Sequence, residues 1–225
     1  MASQRSARTQ YVTALIISSL VSIGLFAFSS YRNQDTGYSY LIWNLFLAWL
    51  PLLFAVRLIF VLRTKLWSSW EALGWSILWL LFLPNSFYMI SDFIHIQELQ
   101  HTDIVADALM FTSFIFTGVV LGFSSLYLVH LQLKKRYTSQ VAAFWVAVTL
   151  LASSTAIYIG RDLRWNSWDV LTNPGGLLFD ISERLINPSS YPEMFVIVLS
   201  FWILLMSMYV LLWRGARLVQ QIKPE

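Results

Sequence analysis

The sequence predicts an all-α integral membrane protein with six transmembrane helices and one amphipathic helix on the outer face. Three observations carry this prediction. The chain of 225 residues is 57% hydrophobic and 12% charged, whereas a soluble domain has about a quarter charged residues. Six apolar runs are each long enough to cross a bilayer, which takes about 20 residues. The segments between these runs alternate between basic and acidic composition.

The alternation of charge orients the chain. One set of alternate segments carries most of the cations: Arg5, Arg8, Arg57, Arg63, Lys65, Lys134, Lys135, Arg136, Arg214, Arg217 and Lys223. The other set carries most of the acids: Asp35, Asp92, Glu98, Asp103, Asp107, Asp162, Asp169, Asp180, Glu183 and Glu193. Short loops rich in Lys and Arg remain in the cytoplasm. Both termini are therefore predicted to be cytoplasmic, and the carboxylates are predicted to face outward.

The six runs place the spans within one membrane domain, residues 1–225. We expect them near 11–29, 40–62, 73–91, 104–129, 140–160 and 193–213. Every span must satisfy its own backbone, which makes helices the expected structure. The first run resembles a signal peptide, with small residues at Ala27 and Ser29. Residues 11–28 nevertheless exceed the apolar length of a signal peptide, about 7–15 residues, so we expect the run to be retained as a span.

Two spans contain a proline. Pro51 and Pro84 each leave one backbone carbonyl without its helical partner. Asn44 and Asn85 lie close to them in sequence. Broken helices with nearby amides line the sites of transporters. The alternative is a pair of kinks whose freed groups are satisfied by neighbouring helices.

Span four contains a small-xxx-small pair, Gly118 and Gly122. This pattern lets two helix backbones approach closely. It predicts either packing within the bundle or contact with a partner membrane protein.

The longest predicted outer loop contains an amphipathic segment near 175–187. Its apolar residues recur at helical spacing: Leu177, Leu178, Ile181, Leu185 and Ile186. Charged and amide side chains fill the opposite face, and Pro188 ends the pattern. We expect a helix that lies on the outer leaflet, or one that packs down onto the bundle.

A first group of polar residues closes span three. Asp92 and His95 are one helical turn apart and would share a face. Nearby in sequence are Asn85, Glu98, His101, Asp103 and Asp107. Such a group can act as a general acid/base pair, bind zinc or manganese, or form a structural corner of ion pairs. We predict Asp92 and His95 as catalytic residues and Asn85 as a substrate-binding residue. We assign no metal ligand and no cofactor.

A second group follows span five. Arg161 and Arg164 lie on the side where cations are scarce, followed by Asn166 and Asp169. A guanidinium group matches phosphate and carboxylate, and it also stacks on aromatic rings. We predict these four residues as a binding site for an anionic lipid, head group or carboxylated substrate. The alternative is that the arginines pair with outer carboxylates and join two loops.

The composition and the absence of known sequence motifs exclude several classes of function. The chain has no cysteine, which excludes disulfides and zinc–thiolate sites. It has no phosphate-binding P-loop, dinucleotide fingerprint or nucleophile elbow. Nucleic-acid binding needs a basic stripe on a water-facing fold, and none is present. Membrane lipids are the expected partners.

Four stretches resemble a known family. Residues 43–51, 83–95, 117–130 and 160–174 are similar to bacterial multi-pass membrane proteins known only as a domain of unknown function (number thirteen sixty-one). The run from Arg164 to Asp169 is the most specific part, whereas Asp162, Ser86 and Phe87 depart from the pattern. The resemblance implies a place in the bacterial cytoplasmic membrane. It implies no activity and no cofactor.

Three classes of function stay open. The first is an outward-facing membrane enzyme or binding protein for an anionic lipid or envelope precursor. The second is a small transporter or channel, although charge-poor spans argue against ion coupling. The third is a non-catalytic assembly partner that uses the Gly118–Gly122 face.

The predicted sidedness has a direct test. A green fluorescent protein fused after Glu225 is expected to fluoresce, because it folds in the cytoplasm. Alkaline phosphatase fused at the same point is expected to be inactive, because it matures only outside the cytoplasm. Active phosphatase at the C-terminus would contradict the predicted orientation of every loop.

Overall fold

The computed structural model describes residues 2–34, 36–98, 104–165 and 169–221. Their helices are α1 (Ala2–Asn33), α2 (Tyr40–Val61), α3 (Trp70–Tyr88), α4 (Ile104–Lys134), α5 (Ser139–Asp162), α6 (Asp169–Thr172), α7 (Pro174–Ile186) and α8 (Pro192–Gln221). Two 3₁₀ segments, Gly37–Ser39 and Met89–Glu98, precede α2 and follow α3. The described residues include no strand.

The prediction of an all-α membrane fold is confirmed. Six helices are long and apolar enough to cross a membrane: Ala7–Asn33, Gly37–Val61, Trp70–Phe93, Ile104–Lys134, Ser139–Asp162 and Pro192–Leu218. Large apolar side chains such as Leu20, Phe60, Phe116 and Leu211 are exposed on these helices. Exposed apolar area of this extent is typical of surfaces that contact lipid.

Side-chain caps fix the start of three helices. Ser69 accepts a hydrogen bond from the Ala72 amide at α3, and Thr138 accepts one from the Val141 amide at α5. At α7, Asn173 accepts a hydrogen bond from the Gly176 amide, and Pro174 occupies the first turn. A hydroxyl or amide oxygen at this position satisfies a backbone N–H that has no partner within the helix.

The contacts of the chain divide it into two compact units, Met1–Ser125 and Leu126–Glu225. The core of the first unit is built mainly from leucine and phenylalanine. Its fully buried side chains include Leu41, Leu58, Leu83, Phe87, Phe111 and Phe114.

Within the first unit, α4 approaches α3 at two glycines. A methyl group at Gly122 would lie 2.8 Å from both Ser86 Cβ and Phe87 Cε1, and one at Gly118 would overlap Met89 Sδ. Both glycines are buried, as packing within the bundle predicts. The prediction of a membrane-protein partner at this face remains untested, but such a partner would have to displace α3.

A row of polar side chains joins α1 to α4 in the first unit. The Tyr11 hydroxyl lies 2.6 Å from Ser124 Oγ, and Ser18 Oγ lies 2.6 Å from Thr117 Oγ1. Farther along α1, the Ser29 hydroxyl donates to the Asp107 carboxylate. We call this antiparallel row the polar seam. Because α1 supplies half of it, α1 packs as part of the first unit.

Both proline-containing helices continue through the proline. Pro51 lies within α2 and Pro84 within α3. Beside the Pro51 break, the Ser86 hydroxyl donates to the Ala48 carbonyl at 3.1 Å. After Pro84, the Asn85 amide donates to the Phe82 carbonyl of its own helix at 3.2 Å. These bonds reach carbonyls near the prolines, whereas the carbonyls that Pro51 and Pro84 free are those of Leu47 and Leu80. The choice between simple kinks and transporter-like breaks therefore stays a prediction.

In the second unit, α5 packs against α8. The Trp202 indole donates to the Ala147 carbonyl at 3.0 Å. Tyr158, Met194 and Val198 form a buried cluster. The amphipathic helix predicted near 175–187 is present as α7. Its exposed apolar side chains are Leu178, Phe179, Leu185 and Ile186, which agrees with a helix lying in the leaflet.

The glycine contact predicts a difference between two alanine variants. Gly122→Ala is expected to lower the free energy of unfolding by about 1–3 kcal/mol, because added volume in a packed core forces its neighbours apart. Gly74→Ala is the matched control, since a methyl group there meets nothing within 4 Å. It should be neutral or slightly stabilising, as alanine is favoured over glycine in helices. Denaturation of both variants in detergent measures the difference, and equal stability would contradict the close contact.

Candidate functional site

Asp92, one of the two predicted catalytic residues, is buried. It lies in the 3₁₀ segment that extends α3, and it is 3% exposed. The Asn44 amide of α2 donates to its carboxylate at 3.5 Å. A carboxylate in a membrane span is costly and usually marks a functional site. The catalytic role of Asp92 stays a prediction, which its burial makes specific to a carboxylate within a span.

The 3₁₀ geometry sets the relation between Asp92 and His95. A 3₁₀ helix has three residues per turn, so residues three apart are eclipsed on one face. Positions 89, 92, 95 and 98 of this segment accordingly share a face, and Met89 and Asp92 on it are both buried. The side chain of His95 lies outside the described part of the structure. The backbone alone thus supports the predicted Asp92–His95 register.

Asn85 lies one turn before this segment and is half-buried in α3. Its amide binds the Phe82 carbonyl, which gives it a local backbone role. Its predicted role in substrate binding remains a prediction.

Asp107 is a buried carboxylate whose setting the sequence did not reveal. It is 0% exposed in the first turn of α4. It accepts hydrogen bonds from Ser29 and from Asn33 Nδ2, the latter at 3.3 and 3.4 Å to its two oxygens. Both donors come from α1. The spacing of polar residues in the first span, at Ser18, Ser22, Ser29 and Asn33, is the signal that could have indicated this contact.

The arginine loop, residues 161–165, lies in the second unit. Arg161 is half-buried in the last turn of α5, and Arg164 is exposed. Arg164 has a φ of 56°, in the left-handed region that costs about 1–3 kcal/mol for a residue other than glycine. The Trp165 amide closes the turn by donating to the Ile159 carbonyl at 3.3 Å. An arginine therefore occupies the position where a helix end usually has glycine.

Trp165 fastens the arginine loop to α7. Its indole N–H donates to Asp180 Oδ2 at 2.8 Å. Its ring lies so close to Gly176 that a methyl group there would be 2.9 Å from Cη2. The residue that follows the strained Arg164 is thus held against α7 by a hydrogen bond to Asp180 and by close packing on Gly176.

Polar contacts along α7 complete this region. The Arg184 guanidinium donates to the Asp180 carbonyl at 2.8 Å and lies over the Tyr191 ring, 4.8 Å from its centroid. The Tyr191 hydroxyl donates to Glu183 Oε1 at 3.0 Å, and this bond raises the pKa of Tyr191. Arg184, Asp180 and Glu183 of α7 therefore all contact residues of α7 itself or of the segments next to it.

Of the remaining predicted residues, the structure describes some and not others. Asp169 begins α6, and its carboxylate accepts a hydrogen bond from Thr172 Oγ1 at 3.3 Å. Asn166 lies outside the described residues, as do His101 and Asp103. Among the described residues, no three His, Asp or Glu side chains gather where they could hold one metal ion. Asp92 belongs to the first unit, whereas Arg161, Arg164 and Asp169 belong to the second.

Comparison with known proteins identifies a family. A family model described as "Protein of unknown function (DUF1361)" matches residues 43–208. No curated protein and no solved structure matches the chain. The matched range covers Asp92, the arginine loop and α7.

The Trp165 contacts predict the mobility of the arginine loop. In Trp165→Ala, we expect trypsin to cleave after Arg164 about tenfold faster or more, because a hydrogen bond to a charged group is worth roughly 1.5–3 kcal/mol. Limited proteolysis of the purified protein in detergent measures this rate. Trp43→Ala removes an exposed tryptophan of α2 and should leave the rate unchanged. Equal rates in wild type and Trp165→Ala would show that Trp165 does not hold the loop.

Proposed function

We propose that this chain, which belongs to the DUF1361 family of proteins of unknown function, binds or processes an anionic lipid or envelope precursor at the outer face of a cell membrane. Its membrane nature follows from six helices that are long and apolar enough to cross a bilayer. The choice of ligand rests on the second unit, where an arginine loop adjoins an amphipathic helix.

The observation that carries the proposal is the fastening of the arginine loop to α7 by Trp165. It keeps the exposed Arg164 beside a helix whose apolar side chains, among them Phe179 and Ile186, are exposed. Those side chains suit the acyl region of the outer leaflet. A guanidinium at the polar edge of such a helix suits phosphate or carboxylate, the charged groups of anionic lipids.

The strain at Arg164 supports a functional role for this residue. A left-handed backbone favours glycine, and glycine would relieve the cost. Retention of arginine at φ 56° keeps a guanidinium at this point despite that cost. Strained residues cluster at binding and catalytic sites.

Asp92 supplies the chemical part of the proposal. Its burial and its hydrogen bond from Asn44 suit a carboxylate that acts as a general acid or base. His95, three residues onward in the same 3₁₀ segment, is proposed as its partner. Asn166 and Asp169 are proposed to position the ligand beside the arginines.

The core of the first unit gives less support to a transporter. Its centre is filled by leucine and phenylalanine side chains such as Leu83, Phe87 and Phe114. The groups near Pro51 and Pro84 are hydrogen-bonded to neighbouring backbone. A polar path through the centre of the first unit would have to pass through these side chains.

Binding is tested with a photoactivatable phosphatidylglycerol in nanodiscs of the full-length protein. Cross-links mapped by mass spectrometry are expected in the peptides of residues 161–187. Arg164→Gly removes the guanidinium and suits the positive φ, so it should reduce these cross-links without lowering thermal stability. Arg136→Gln, on the predicted inner side, is the matched control and should leave them intact. Equal labelling in wild type and Arg164→Gly would overturn the binding proposal.

Processing is tested in cells that produce wild type, Asp92→Asn or Asp92→Glu. Mass spectrometry of lipid and envelope-precursor extracts should show an anionic species that accumulates with Asp92→Asn and is consumed with wild type. A general acid or base contributes about 10²–10⁴-fold to a rate, so a loss of that order is expected. Glu193→Gln, an exposed carboxylate at the start of α8, serves as the control. Identical extracts from wild type and Asp92→Asn would remove Asp92 from the proposed role.

A further inference from the structure

A second polar region lies at the other end of the second unit. The end of α4, the start of α5 and the last part of α8 enclose a cavity of about 250 Å³. The alternation of charge predicts that these helix ends face the cytoplasm. The cavity is therefore separate from the arginine loop and α7, which the same alternation places outside.

The cavity is lined by three cations, Lys134, Arg214 and Arg217. No carboxylate among the described residues lines it. Lys134 Nζ lies 5.4 Å from the Trp213 ring centroid, and the Arg217 guanidinium carbon lies 5.6 Å from the same ring. Two like charges held at one indole repel each other, and an anion between them would convert that repulsion into attraction.

The aromatic side of the cavity is held in place by contacts among its own residues. The His130 ring stacks on Trp213 with centroids 4.1 Å apart, and His130 Nδ1 lies 2.8 Å from the Tyr209 hydroxyl. His130 and Tyr209 are both buried. A ligand would meet a fixed aromatic surface and would not have to order these side chains, which favours binding.

The lining changes from charged to apolar away from the helix ends. Ala143 and Val210 line the cavity and are exposed on the surfaces of α5 and α8. Both residues lie within membrane spans, so this side of the cavity opens toward acyl chains. The ligand that fits such a lining is amphipathic, with an anionic end beside the cations and an apolar end beside Val210.

We propose that this cavity binds the phosphate group of an anionic phospholipid from the predicted inner leaflet. Lys134, Arg214 and Arg217 contact the phosphate, the start of α5 at Ser139 adds backbone amides, and Val210 contacts an acyl chain. Basic pockets between membrane helices on the cytoplasmic side bind anionic head groups in this way. Helix N-termini favour the same ligands. The site goes beyond the proposed outer-face function and does not depend on it.

The test measures the binding of short-chain phosphatidylglycerol to the full-length protein in detergent, by its effect on thermal unfolding. Phosphatidylcholine of the same chain length and inorganic phosphate are the comparison ligands. Wild type should bind phosphatidylglycerol in preference to phosphatidylcholine. The double variant Lys134→Gln/Arg217→Gln should bind it more than tenfold more weakly, and Arg214→Gln alone about fivefold more weakly. The single variant keeps the test available if the double variant does not fold.

The matched control is Lys135→Gln/Arg136→Gln, which removes two positive charges from the same loop without touching the cavity. It should retain wild-type binding. Strong binding of phosphatidylglycerol with weak binding of inorganic phosphate supports a lipid ligand. Equal binding of inorganic phosphate supports the same phosphate site but assigns it to a soluble phosphate compound. Equal loss in the control variant, equal binding of phosphatidylcholine, or full binding by Lys134→Gln/Arg217→Gln would overturn the site.

Discussion

In a bilayer no hydrophobic force drives helices together, since lipid tails are as apolar as leucine. Helix α4 meets this constraint in two ways within the first unit. Toward α3 it presents Gly118 and Gly122, whose missing side chains let the backbones come close. Toward α1 it presents Thr117, Ser124 and Asp107, which hydrogen-bond to side chains of that helix. Close packing on one face and hydrogen bonds on the other thus hold three helices together.

Two buried carboxylates, Asp92 and Asp107, lie near these helix contacts. The polar seam ends at Asp107, and the glycine contact lies against the end of α3 and Met89, the first residue of the 3₁₀ segment that carries Asp92. Asp107 belongs to α4 and bonds to α1, whereas Asp92 accepts a hydrogen bond from Asn44 of α2. Asp107 receives donors from α1 and has the character of an anchor, whereas Asp92 lies beyond the packed glycines, where the chain changes from α-helix to 3₁₀ helix. A change of helix type often marks a functional segment.

The helices and the spacing of neighbouring site residues were predictable from the sequence, because they depend on local patterns of residues. Apolar run lengths indicated all six spans, and the pattern after Pro174 indicated α7. The register of Asp92 and His95 followed from their spacing. The partners of the buried groups were not predictable, because they depend on how each helix is rotated against its neighbour. Nothing local pairs Ser29 with Asp107 or Trp165 with Asp180, since the first pair is 78 residues apart and the second 15.

The basic residues of the cavity were also not predictable as a binding site from the sequence. Lys134, Arg214 and Arg217 served in the sequence only to orient the chain, and that signal needs no more than their position in a loop or at a helix end. Their arrangement around one cavity adds a property that topology does not require, since a cation can satisfy the sidedness rule while pointing into water. Three cations that instead line one cavity raise its electrostatic potential together. Residues that orient a membrane protein can thus also form a binding site, and only their side-chain geometry separates the two roles.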